Sequence, residues 1–97
     1  MMTRQELVSD KRDEILRLAR HHGAMNVRLF GSVARGQANE ESDVDVLVEA
    51  GPETTAFFPG GLVADLEDLL GCKVDVVTEA ALHPYIRARV LGEAVPL

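Results

Sequence analysis

Two short segments in which apolar and acidic residues alternate constrain the fold more than any other feature of the sequence. The first runs from Asp43 to Val48 and the second from Lys73 to Val77, and both are rich in valine. A period of two predicts strands that bury one face and leave the other accessible. The valines of both strands are therefore expected in the core and the aspartates on the opposite face.

The N-terminal part of the chain predicts a helix followed by a strand. Apolar residues recur at helical spacing over residues 4–22, and Thr3 and Glu6 fit a capping box. Gly23 supplies a left-handed stop for this helix. Residues 26–30 alternate between apolar and polar side chains, which predicts the first strand of the sheet.

The rest of the chain completes a mixed α/β pattern. Residues 50–60 are a loop rich in Gly and Pro, Leu62 begins a helical pattern that ends at Gly71, and Pro84 suits the first turn of a last helix. The predicted order is helix, strand, strand, helix, strand, helix. We therefore expect an α/β fold with a small mixed β-sheet and helices packed on one face.

Charge and cysteine content exclude several classes of protein. The 97 residues carry a net charge of −6, which argues against direct binding to nucleic acid or to an anionic membrane. The single cysteine, Cys72, cannot form an internal disulfide and is interpreted as a small buried hydrophobe. No apolar run predicts a membrane span or a secretory signal. These features are typical of a cytoplasmic protein.

His21 and His22 lie in the last turn of the predicted N-terminal helix. They are interpreted as side chains whose positive charge would complement the helix dipole.

The turn after the first strand is the first candidate site. Gly31 lets the backbone approach a ligand closely, and Ser32 opens a short helical turn over residues 33–35 that ends at Gly36. Free N–H groups at such a turn attract phosphate. An ordinary strand-to-helix turn has the same composition, so this alternative stays open.

Three aspartates form the second candidate site. Asp43 and Asp45 are two residues apart on a strand and face the same side, where they repel each other unless a cation or proton lies between them. A solvated sheet face or a charge-protected edge strand is the alternative interpretation. Asp75 lies within an apolar strand, and all three carboxylates share one face if the two strands are neighbours. Such oxygen ligands suit Mg²⁺, including the paired ions of two-metal sites.

Taken together, these motifs resemble the signature of the DNA polymerase β-like nucleotidyltransferase superfamily. The resemblance is carried by residues 31–36, by residues 42–48 and by Asp75 on a later strand. Residues 34–36 and the closing segment 89–97 are similar to the minimal nucleotidyltransferases, the antitoxins of two-gene modules whose other half is a HEPN-domain toxin. The resemblance spans nearly the whole chain and implies a single minimal nucleotidyltransferase domain over residues 1–97.

The resemblance also implies an activity and a role for each candidate residue. The activity is the transfer of AMP from ATP to a hydroxyl, here a tyrosine of the HEPN-domain toxin. Gly31 and Ser32 would hold the triphosphate, and Asp43 and Asp45 would bind two Mg²⁺ ions. Asp75 would complete the site of the catalytic metal and assist deprotonation of the acceptor. Arg35 would contact phosphate, or alternatively form a salt bridge to residues 40–41.

Two other functions remain compatible with the sequence. One is nucleotidyl transfer to a small-molecule hydroxyl, although the chain leaves little room for an acceptor-binding domain. The other is an antitoxin that binds nucleotide and neutralises its partner without catalysis. Phe57 and Phe58 lie in a loop and are interpreted either as core residues or as a partner-binding patch, through which the chain would also self-associate.

Overall fold

The computed structural model describes residues 2–97, which form one four-stranded mixed sheet. Its strand order is β3-β2-β1-β4. The β1–β2 and β1–β4 pairs are antiparallel, whereas β2 and β3 are parallel. The strands are β1 (Ala24–Phe30), β2 (Val44–Ala50), β3 (Val74–Thr78) and β4 (Val95–Pro96).

Five α-helices and one short 3₁₀ turn surround this sheet within the described residues. None of these helices is long and apolar enough to cross a membrane. The helices are α1 (Arg4–Asp10), α2 (Arg12–His21), α3 (Gly31–Arg35), α4 (Gly60–Leu70) and α5 (Pro84–Glu93), and the 3₁₀ turn spans Glu79–Ala81.

The predicted helix over residues 4–22 is two helices, so the prediction of one continuous helix is wrong at Lys11. The predicted capping box is present, with the Glu6 N–H donating to Thr3 Oγ1 at 3.1 Å. Lys11 has a ψ angle of 11°, outside the helical range. The side chain of Gln5 donates to the Val33 carbonyl at 3.1 Å, a long-range contact that orients α1 and that helical periodicity cannot reveal.

The main core lies on one face of the sheet, as expected. The even-numbered valines of β2 point to this face, where they meet buried side chains of α1, α2 and α4. Residue exposure in the core is at most a few per cent. Its central members are Val8, Ile15, Ala19, Val44, Val46, Val48, Leu62, Leu66, Val74 and Val76.

The C-terminal helix covers part of the opposite face. Leu47 alternates with the core valines of β2 and is fully buried against Leu82 and Val90. The α/β fold with a small mixed sheet is thus confirmed. The expectation that the helices pack on one face is wrong for α5, which covers a second, smaller apolar cluster on the other face. This cluster holds the end of α5 near the end of β1.

The phenylalanine pair of the 51–59 loop divides between the two interpretations. Phe58 is half-buried and packs against the main core, whereas Phe57 is 93% exposed. One of the two residues is therefore a core residue, and the other is free to contact a partner.

Candidate functional site

Asp45 and Asp75 lie side by side on neighbouring strands. They are Cα partners in the parallel β2–β3 ladder, so their side chains point to the same face of the sheet. Asp45 is half-buried and Asp75 is exposed. The three-aspartate hypothesis requires the second and third predicted strands to be neighbours. The structure meets this condition.

Asp43 completes the acidic group from just before β2, where its side chain is exposed. The pKa of Asp45 is raised above its ordinary value, first by burial and then by the charges of Asp75 and Asp43. Glu93 adds to this effect, whereas Arg35 opposes it. The carboxylates are thus close enough to interact electrostatically around Asp45.

Gly31 is the point at which the turn after β1 meets the aspartates of the predicted motif. Its φ angle is +72°, a conformation that glycine adopts readily. A Cβ atom at this position would collide with Oδ2 of Asp45. The turn that follows β1 therefore approaches the Asp45 carboxylate through bare backbone. Ser32 follows Gly31 as the second residue of α3 and is half-buried.

Arg35 does not pair with residues 40–41, which was one of its two expected roles. Its Nη1 donates to Oε1 of Glu93 at 2.8 Å, and its Nε donates to Oε1 of Gln37 at 3.0 Å. The same Glu93 oxygen also accepts from the Gly31 N–H at 2.8 Å. Sequence reasoning missed Glu93. Its signal was an acidic residue at the end of a predicted helix, where it opposes the helix dipole and therefore needs a partner elsewhere.

The loop that leads to Asp43 is held from α1. The Nε of Arg4 donates to the Ser42 carbonyl at 2.9 Å, and its Nη2 donates to the carbonyl of Glu40. Within the loop, the Asn39 N–H donates to Ser42 Oγ at 2.9 Å. Arg4 was also missed by sequence reasoning, because 38 residues separate it from Ser42.

The three aspartates offer the type of ligand atom that a hard divalent cation binds. All three predicted ligands are carboxylates, the oxygen ligands that Mg²⁺ prefers, and their mutual repulsion would be relieved by a cation. Over residues 2–97, however, no three His, Cys, Asp or Glu side chains are arranged around a common point. Asp43 and Asp75 are exposed and would have to turn towards Asp45 to share an ion with it.

Comparison with known proteins identifies the family of the chain. A family model described as a nucleotidyltransferase domain matches residues 12–97. The chain is 38% identical over 97 residues to the protein adenylyltransferase MntA of Thermococcus cleftensis, covering 98% of this chain and 96% of that protein. It is 36% identical over 88 residues to MJ0435 of Methanocaldococcus jannaschii, covering 91% and 95% of the two chains. The name of MJ0435 identifies it provisionally as a protein adenylyltransferase.

Solved structures share the fold. A structure named provisionally as a minimal nucleotidyltransferase superposes with a TM-score of 0.85 at 46% identity, covering 96% of this chain and 95% of that one. A toxin–antitoxin crystal structure with AMP-PNP matches with a TM-score of 0.74 at 23% identity, covering 87% of this chain and 69% of that one. At that identity the second match shows the fold alone. The family model and the relatives show that the chain belongs to the nucleotidyltransferase domain family, and the first structure shows that its fold matches that of a minimal nucleotidyltransferase.

Proposed function

We propose that this protein transfers AMP from ATP to a tyrosine hydroxyl of a HEPN-domain toxin and so acts as its antitoxin. The observation that carries the proposal is the contact of the Gly31 turn with Asp45, which is paired with Asp75 on the next strand. Nucleotidyl transfer requires a phosphate-binding turn close to a group of carboxylates. The relatives named as protein adenylyltransferases and the toxin–antitoxin structure that shares the fold support a protein acceptor.

Each candidate residue has a role in this proposal. Gly31 and Ser32 bind the triphosphate, and Arg35 contacts a phosphate from the end of α3. Asp43, Asp45 and Asp75 would hold two Mg²⁺ ions. Bound Mg²⁺ would neutralise charge on the triphosphate and on the departing pyrophosphate.

The transfer is a single displacement at phosphorus. The tyrosine oxygen attacks the α-phosphorus of ATP and forms the new P–O bond while the bond to pyrophosphate breaks. The carboxylate of Asp75 accepts the hydroxyl proton. Asp75 is suited to this role because it is exposed at the sheet edge, where a second protein can approach.

The proposal predicts that a HEPN-domain protein is encoded beside this gene, and that protein is the substrate for the test. The purified pair is incubated with ATP and Mg²⁺, and intact mass spectrometry follows the partner. We expect the partner to gain the mass of one or more AMP groups, and Asp75→Asn to lower the transfer rate by about 100-fold or more, because positioned acid–base groups contribute 10²–10⁴-fold. Asp68→Asn, which removes an exposed carboxylate of α4, is the matched control and should transfer at the wild-type rate.

Two results would contradict the proposal. If Asp75→Asn neutralised the toxin in cells as well as the wild type while transferring no AMP, neutralisation would be by binding alone. If a small hydroxylated compound were modified and the partner were not, the acceptor assignment would be wrong and the nucleotidyltransferase chemistry would stand.

A further inference from the structure

One carboxylate oxygen connects the C-terminal helix to the turn of the candidate site. Glu93 is the last residue of α5, and its Oε1 accepts from the Gly31 N–H and from Arg35 Nη1, both at 2.8 Å. The side chain of Glu93 is only 20% exposed. The contact joins residues 62 positions apart in the chain.

The electrostatics of both helices explain why Glu93 makes this contact. An acidic residue at the C-terminus of α5 is unfavourable for that helix, because carbonyl oxygens already face it. The start of α3 lacks a local cap, since Phe30 offers no side-chain hydrogen bond and the first turn contains no acidic residue. Glu93 supplies α3 with the missing acceptor and negative charge, and Arg35 balances that charge.

The residue that Glu93 holds is the one that contacts Asp45. The Gly31 backbone lies against the Asp45 carboxylate so closely that no Cβ fits between them. A shift of the Gly31 N–H would therefore change the separation between the turn and the carboxylate. Glu93 is itself anchored to the sheet, because β4 begins two residues later and pairs with Arg28 and Leu29 of β1.

We propose that Glu93 is a positioning residue of the nucleotide site, which holds the Gly31 turn and the Arg35 side chain at a set distance from Asp45. The inference rests on the proposed function and adds to it a residue to which the sequence analysis assigned no role. Glu93 itself touches neither nucleotide nor acceptor. Glu93 acts by placing one carboxylate oxygen within hydrogen-bond distance of two donors, the Gly31 N–H and Arg35 Nη1.

Two conservative variants separate the effect of side-chain length at position 93 from the effect of charge. Glu93→Gln keeps the length of the side chain and an oxygen acceptor but loses the charge. Glu93→Asp keeps the charge but is one methylene shorter, so its oxygen withdraws from the Gly31 N–H. The matched control is Glu79→Asp, which shortens another partly buried glutamate whose Oε2 pairs with Arg28 at 2.9 Å.

The first readout is transfer to the HEPN-domain partner at a temperature where circular dichroism shows every variant folded. We expect Glu93→Asp to lower kcat by about 10- to 100-fold with KM for ATP nearly unchanged, because small misplacements of reacting groups cost about that much. Glu93→Gln and Glu79→Asp should retain most of the wild-type kcat. A purely structural role would lower Tm in Glu93→Asp and leave kcat of the folded protein unchanged, which would overturn the proposal.

The second readout does not need catalysis. Amide hydrogen exchange at Gly31 should be faster in Glu93→Asp than in the wild type, and unchanged in Glu93→Gln and Glu79→Asp. Unchanged Gly31 exchange in Glu93→Asp would overturn the positioning role of Glu93, whether or not the wild type transfers AMP. Absence of AMP transfer by the wild type would refute the proposed function instead. Tighter binding of α,β-methylene ATP by both Glu93 variants would also overturn the positioning role, because Glu93 would then occupy the place of a phosphate.

Discussion

At the scale of single residues, Gly31 is the position at which the candidate site tolerates least change. Its positive φ angle and its contact with the Asp45 carboxylate act together, because a side chain would be strained in conformation and would also collide with Oδ2. Glycine at a strand-to-helix turn is common, so the sequence alone left an ordinary turn as an alternative. The contact with Asp45 distinguishes this glycine from the others.

We predict that Gly31→Ala destabilises the protein by about 1–3 kcal/mol, the usual cost of a non-glycine residue held in a strained backbone conformation. It should also abolish AMP transfer, because Asp45 must move. Urea denaturation and the transfer assay measure the two effects. Gly92→Ala is the control: Gly92 lies in α5 with no atom within 4 Å of the added Cβ, so this change should stabilise the protein by up to about 1 kcal/mol. Equal stability of Gly31→Ala and wild type would contradict the prediction.

At the scale of elements, a buried histidine joins three segments that the sequence did not connect. His22 follows α2 and is 7% exposed. Its Nδ1 lies 2.6 Å from Thr55 Oγ1 in the loop before α4, and its Nε2 lies 2.6 Å from Oδ2 of Asp65 in α4. The prediction that His22 only complements a helix dipole is therefore incomplete, whereas His21 is exposed and compatible with that role.

We predict that His22→Ala destabilises the protein by about 2 kcal/mol, because it removes a buried side chain together with two hydrogen bonds. His21→Ala is the neighbouring control and should change stability by no more than about 0.5 kcal/mol, as exposed substitutions usually do. Urea denaturation at pH 7 gives both values. The prediction is wrong if the two variants are equally stable.

At the scale of the whole molecule, the acidic site has opposite effects on stability with and without a ligand. Burial and neighbouring carboxylates raise the pKa of Asp45 in the folded protein above its value in the unfolded chain. The folded state therefore binds a proton at Asp45 more tightly than the unfolded state does. This contribution to stability is fully present below pH 3.8, the ordinary pKa, and is lost as the pH rises through the folded-state pKa.

We predict that Asp45→Asn raises the Tm of the protein in chelator at pH 7, because the charge that repels its neighbours is gone. The gain should disappear at pH 3, where Asp45 is protonated in both states. Mg²⁺ with ATP should instead stabilise the wild type by mass action, by about 2.7 kcal/mol at one hundred times Kd, and should stabilise Asp45→Asn far less. Differential scanning calorimetry with and without chelator measures both. A ligand-induced Tm shift as large in Asp45→Asn as in the wild type would exclude Asp45 from the site.

The sequence by itself determined the strands that carry the aspartates, the helix that ends before Gly71 and the Gly-Ser turn. Each of these depends on a local period or on a glycine stop, which a short window contains. The tertiary structure alone decided the break at Lys11, the short strand β4, the different environments of Phe57 and Phe58, and the partners of His22 and Glu93. These features depend on contacts between residues far apart in the chain. Local periodicity cannot encode such contacts, because it is the same whichever distant residue lies opposite.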